Sequence, residues 1–214
     1  MTPSAFAKRV TRLFHVTDRP AWAFIEAHGL LSTDSLVETF VDDSDLALEL
    51  RSRKRFAPVL LHEDERGRVL LNDNLPLIFP RLAGALDDGL TPDDWLRILN
   101  ERVYFFPTLE RAASFIEAGR RGGREKLLLT FDALSIASAH LDDLFIAPIN
   151  TGSALRSPAR RGRSTFAPAA RVSWEEFAAR RRATKRTPDT VAEISLLGGL
   201  PDVSRHLVEE PRPI

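Results

Sequence analysis

The apolar runs of this chain are all short. Residues 14–16, 57–61, 69–71, 103–106, 126–131 and 191–197 each have the length of a strand, and helix signals separate most of them. Strands this short build small sheets. The helices between them do not follow the regular strand–helix rhythm of a doubly wound sheet, so the pattern predicts an α+β fold.

Local punctuation places the helices. Residues 19–28 read as a helix with Asp18 as N-cap, Pro20 in the first turn and Gly29 as the stop. Thr33 opens a second helix that runs to about Phe40, and 45–53 reads as a helical turn or a loop. The charged stretch HEDERGR between two apolar runs predicts a hairpin. Residues 75–85 are apolar at helical spacing. Thr91 and Pro92 start a helix at DDWLRILNE, Thr108 caps another through Gly119, and 174–182 forms a third. The stretch 134–165 reads as mostly irregular. The closing residues EPRPI read as a short flexible tail over 210–214, which leaves 1–209 as a single domain.

Several function classes are excluded early. With no cysteine among 214 residues, the chain has no disulfide, no thiolate zinc site and no cysteine nucleophile. Its five histidines form no HxH or HxxxH pair, so no metal is expected. No GxSxG elbow, P-loop or GxGxxG is present. No run approaches the roughly 20 apolar residues of a membrane helix. The first ten residues lack the hydrophobic length of a signal peptide, so no membrane association and a cytoplasmic location are expected.

Charge is balanced in total and uneven in place. The chain has 30 basic and 30 acidic residues. Residues 33–49 are acidic, whereas 150–186 hold ten Arg or Lys against only Glu175 and Glu176. Such a basic belt attracts phosphates, on a nucleotide or on a nucleic acid, unless it is simply a solvated surface. Its first part, INTGSALRSPARRGRSTF at 149–166, is a long polar block inside a compact chain. Asn150, Thr151, Gly152 and Ser153 offer donors there. Arg156, Arg160 and Arg161 offer bidentate guanidinium groups, and Gly162 permits close backbone approach. The bland alternative pairs these arginines with the acids at Asp42 and Asp43.

Three separated stretches carry a family resemblance. LFHVTDRPAWAFIEAHGLLS (13–32) resembles the opening motif of the ADP-ribosyltransferase superfamily, in which a strand ends on a histidine with a hydroxyl residue two places on. RVYFFPTLERAASFI (102–116) resembles its middle motif, an aromatic-bearing strand followed by a small-residue helix. TVAEISLLGGLPDVSRHL (190–207) resembles the strand that carries its catalytic glutamate. The nearest styles are the DarT-like members and the RNA 2'-phosphotransferases. The whole chain is also similar to an uncharacterised bacterial domain family marked by the INTGSALR…RRG…TF block.

The resemblance implies short antiparallel strands in a split sheet flanked by helices, with His15, Tyr104 and Glu193 as a catalytic triad. It implies NAD as substrate, with ADP-ribose transferred to a nucleic-acid or protein acceptor that meets the basic belt. Toxin or defence roles go with such chemistry. In this scheme His15 and Thr17 hold the adenosine side of NAD, Tyr104 stacks on nicotinamide, and Glu193 offsets the positive charge that develops as the glycosidic bond opens. Asn150, Arg156, Arg160 and Arg161 join the cofactor-binding set. An arginine from 51, 53 or 55 is expected to assist, as one does in DarT-like enzymes. Other readings stay open: a non-catalytic nucleotide or nucleic-acid binder, or an RNA 2'-phosphotransferase-like enzyme. Residue by residue, the plain alternatives are an exposed glutamate on an edge strand, a half-buried histidine bonded to backbone, and packing aromatics at 104–106.

Overall fold

In the computed structural model the described residues are 1–65, 67–119, 123–183 and 191–214. The chain opens with helix α1 (Pro3–Arg9), which the sequence did not announce, and strand β1 (Arg12–Asp18). A 3-10 turn (Arg19–Ala21) leads into α2 (Trp22–His28), then β2 (Leu30–Leu31), α3 (Thr33–Phe40) and α4 (Ser44–Ser52). The hairpin β3 (Val59–Asp64) and β4 (Gly67–Leu71) precedes α5 (Phe79–Ala83) and α6 (Pro92–Asn100). Next come β5 (Arg102–Phe105), α7 (Leu109–Gly119), β6 (Lys126–Asp132), α8 (Ala133–His140) and β7 (Leu144–Ala147). The last third holds β8 (Ala167–Pro168), α9 (Trp174–Ala183), β9 (Glu193–Leu197), β10 (Gly199–Leu200), α10 (Val203–His206) and β11 (Arg212–Pro213). The fold is α+β with small antiparallel sheets, and among the described residues no helix is long and apolar enough to cross a membrane.

Two sheets organise the chain. One has the order β1-β6-β11 and the other β5-β9-β7-β8. A backbone bridge links them: the amide of Phe14 donates to the carbonyl of Phe106 at 3.0 Å, and that of Phe106 returns the bond at 2.8 Å. Short pairs β2-β10 and β3-β4 flank them. Strand alternation then assigns the faces. Val103, Phe105, Leu144, Ile146, Ile194 and Leu196 meet Leu13, Leu129 and Phe131 in the main core. Tyr104, Phe145 and Ala147 face a second core built on Trp95, Leu96 and Leu99 of α6.

Most helix ends follow the local signals. Thr91 and Asp94 form a reciprocal capping box with Pro92 behind it, and Ser32 caps α3. Asp18 departs from expectation. It begins the 3-10 turn without a side-chain capping bond, and its carboxylate instead pairs with Arg124 and Lys126 at 2.7 and 2.5 Å. Only Phe79–Ala83 of the apolar stretch 75–85 is helical, because Pro80 sets its start and Gly84 its end. The stretch expected to be irregular contains α8, capped by Asp132, and β7. The expected tail carries β11, with Arg212 opposite Leu128 and Pro213 opposite Leu127.

Gly29 ends α2 at φ +90°, and a Cβ there would stand 2.7 Å from the Cα of Pro201. Both the torsion and the neighbouring backbone resist a side chain. Gly29→Ala should therefore destabilise the fold by more than about 1 kcal/mol, read as a lowered denaturation midpoint.

Candidate functional site

The Phe14–Phe106 stitch puts the three resemblance motifs next to one another. His15 follows Phe14 on β1, and its Nδ1 donates to the carbonyl of Tyr104 at 2.8 Å. A carbonyl can only accept, so the proton sits on Nδ1 and Nε2 keeps its lone pair. Burial lowers the basicity of this ring, and Lys126 lowers it further, so the imidazole is neutral near pH 7. Glu193 starts β9. The last register pair between β5 and β9 is Phe105 with Ile194, and one step further along the two chains stand Phe106 and Glu193. The acid therefore sits at the end of β9, across β5 from the Phe14–Phe106 bridge.

Tyr104 and Glu193 share a face. Tyr104 pairs with Ser195, which lies one pleat from Glu193. The phenol donates to the carbonyl of Leu99 at 3.1 Å. Its acidity is strongly suppressed, first by burial and then by the negative charge of Glu193. Ser195 between them is 2% exposed, and its hydroxyl has no hydrogen-bond partner among the described residues.

Thr151 grips the carboxylate of Glu193. The amide and the hydroxyl of Thr151 both donate to Oε2, at 2.9 and 2.6 Å. Burial raises the pKa of Glu193, while those two bonds and the charges of Arg161 and Arg111 pull it down. Thr151 is itself fixed from behind: its carbonyl accepts from Trp95 Nε1 at 3.2 Å and from Arg161 Nη1 at 3.1 Å.

The polar block 149–166 is thus an ordered wall. Arg161 is 3% exposed and donates to the carbonyls of Thr151, Ser153 and Ala159. Its own backbone bridges Ala85 and Asp87. Arg160 pairs with Asp87, and the amide of Arg163 donates to Asp88. The acidic partner of the block is therefore the Asp87–Asp88 turn and not Asp42 or Asp43; Asp43 caps α4. Gly162 serves this packing too, since a Cβ there would stand 2.4 Å from Asp88 Oδ2. Arg156 and Asn150 are exposed. Residues 184–186 of the basic belt lie outside the described residues.

Other expected residues stand elsewhere. Thr17 lies on the His15 face of β1, opposite Leu127. Arg55 is buried, with its guanidinium on Asn72, Leu50 and Asn100, and burial pulls it down to about 10. Arg51 pairs with Asp34, and Arg53 is exposed. The cations whose charge reaches Glu193 are Arg161 and Arg111. Arg111, in the first turn of α7, was missed, although its place seven residues after Tyr104 in the same motif was a usable signal.

Two cavities flank these elements. One, of about 540 Å³, lies between Trp22, the β3–β4 turn and Pro211. The other, of about 400 Å³ and open to solvent, is lined from the segment 149–161. Neither is lined by His15, Tyr104 or Glu193. Among the described residues no cluster of His, Asp and Glu could hold a metal ion. A family model described as a family of unknown function, DUF7002, matches residues 11–207. No curated protein and no solved structure matches the chain.

The raised pKa of Glu193 has a pH signature. The folded state binds the proton more tightly than the unfolded chain, so this group's stabilising contribution is complete below 4.5 and is lost as pH rises through the folded value. Glu193→Gln removes that slope. The stability of the variant relative to wild type should therefore increase with pH in urea denaturation run between about pH 5 and 8.

Proposed function

The chain belongs to the DUF7002 family, whose function is unknown, and from its own side chains we propose that it transfers ADP-ribose from NAD to a macromolecular acceptor. One observation carries this reading: His15 bonds the backbone carbonyl of Tyr104, and Tyr104 shares a sheet face with Glu193, so three residues widely separated in sequence lie on the adjacent strands β1, β5 and β9.

The donor set suits a dinucleotide ribose. His15 offers a neutral ring whose Nε2 accepts, which matches a sugar hydroxyl that donates. Thr17 stands on the same face of β1 to assist. Glu193 supplies a negative charge where a ribosyl cation develops as nicotinamide leaves. Thr151 holds that carboxylate through two bonds, so its orientation is set before substrate arrives. Arg111 and Arg161 favour the ionised form.

A second reading has its own support. The cavities lie away from the three residues, and Tyr104 and Glu193 both spend their polar atoms inside the protein. These features suit a non-catalytic member that binds a nucleotide through the arginine block.

Incubation with adenylate-labelled NAD and mixed DNA, RNA and protein acceptors separates the two. Transfer predicts nicotinamide release and a labelled acceptor, with Glu193→Ala slowing turnover by at least about 100-fold. Wild-type protein that releases no nicotinamide with any acceptor, or an alanine variant as active as wild type, rejects the transfer reading.

A further inference from the structure

The 400 Å³ cavity is made from a single segment, and its lining is chemically one-sided. Two arginines, Arg156 and Arg161, contribute to it, together with the neutral polar groups of Asn150, Ser153 and Ser157. No carboxylate is among the lining residues. The rest of the wall is apolar, from Ile149, Leu155 and neighbouring small residues. The volume falls in the ordinary range for small-molecule sites.

Its two arginines play different parts. Arg161 is buried, and its Nε and Nη1 donate to backbone carbonyls. It therefore shapes the segment and sets a fixed positive charge into the wall. Arg156 is exposed and makes no ion pair or hydrogen bond among the described residues. Its guanidinium is available to take a phosphate through two parallel N–H bonds. The side chains of Asn150 and Ser153 likewise have no hydrogen bond among the described residues and add neutral donors.

We infer that this cavity binds a phosphate-bearing ligand of nucleotide size, with Arg156 contacting the phosphate and the apolar wall receiving the uncharged part. The phosphate has two sources, a mononucleotide or one end of a dinucleotide, and the inference does not depend on turnover at Glu193.

Calorimetric titration at low ionic strength tests it without any catalysis. The probes are AMP, NAD, inorganic phosphate and adenosine. The expected order places AMP or NAD at least about 10-fold tighter than adenosine, and Arg156→Ala should weaken the phosphorylated ligands by about 10-fold or more. Arg205→Ala, at an exposed arginine outside the segment, should leave affinity unchanged. It separates a local contact from the loss of one charge. Weakening of both AMP and NAD by Arg156→Ala puts a dinucleotide phosphate in the cavity, and weakening of AMP alone makes it a separate mononucleotide site. The inference is overturned if adenosine binds as tightly as AMP, if only inorganic phosphate binds, or if Arg156→Ala matches wild type. Failure here leaves nicotinamide release by wild type untouched, so the two readings fall separately.

Discussion

Two backbone hydrogen bonds between Phe14 and Phe106 hold the organisation of this molecule together. Each is worth about 1 kcal/mol net, but a buried strand edge left unpaired would cost more than that, so the contact is strongly specified. It joins a three-stranded and a four-stranded sheet through β1 and β5. The three residues stand close to it in the strands: His15 one place after Phe14, Tyr104 two places before Phe106, and Glu193 one step past the last β5–β9 pair.

The second constraint is the treatment of a buried carboxylate. Removing Glu193 from water disfavours its charge. The opposing forces come from two elements: Thr151 donates twice from the polar block, and Arg161 and Arg111 add positive charge from that block and from α7. Thr151 is braced in turn by Trp95 and Arg161, so the second core, the arginine block and the acid form one connected unit. The same bracing suits a pre-set catalytic group and a structural anchor. Only turnover separates them.

Much of the architecture was legible locally. Capping boxes, proline at N1 and glycine stops are short-range events, so Thr91–Pro92 and Gly29 could be read directly. The hairpin 59–71 and the strand 126–131 showed in composition. Misreadings came where a side chain had a distant partner. Asp18 looks like an N-cap until Lys126 of β6 and Arg124 just before that strand approach it. The end of the chain looks like a tail because Arg212 and Pro213 have no apolar signal of their own; they are ordered by the edge of β6. The guanidinium groups of Arg160 and Arg161 look free in the sequence; in the fold they take Asp87 and the carbonyls of Thr151 and Ser153.

By itself the sequence determined the fold class, the positions of most strands and helices, and which residues alternate on each strand, because these depend on neighbours within a few positions. It also marked His15, Tyr104 and Glu193 as chemically unusual for strand residues. Only the tertiary structure decided that the strands carrying these three lie side by side, that Thr151 is the group holding the acid, and that Arg111 and Arg161 rather than Arg51, Arg53 or Arg55 supply the charge around it. The physical reason is that Coulomb forces and hydrogen bonds act through space, and the distances that set them are established by sheet pairing between segments far apart in the chain.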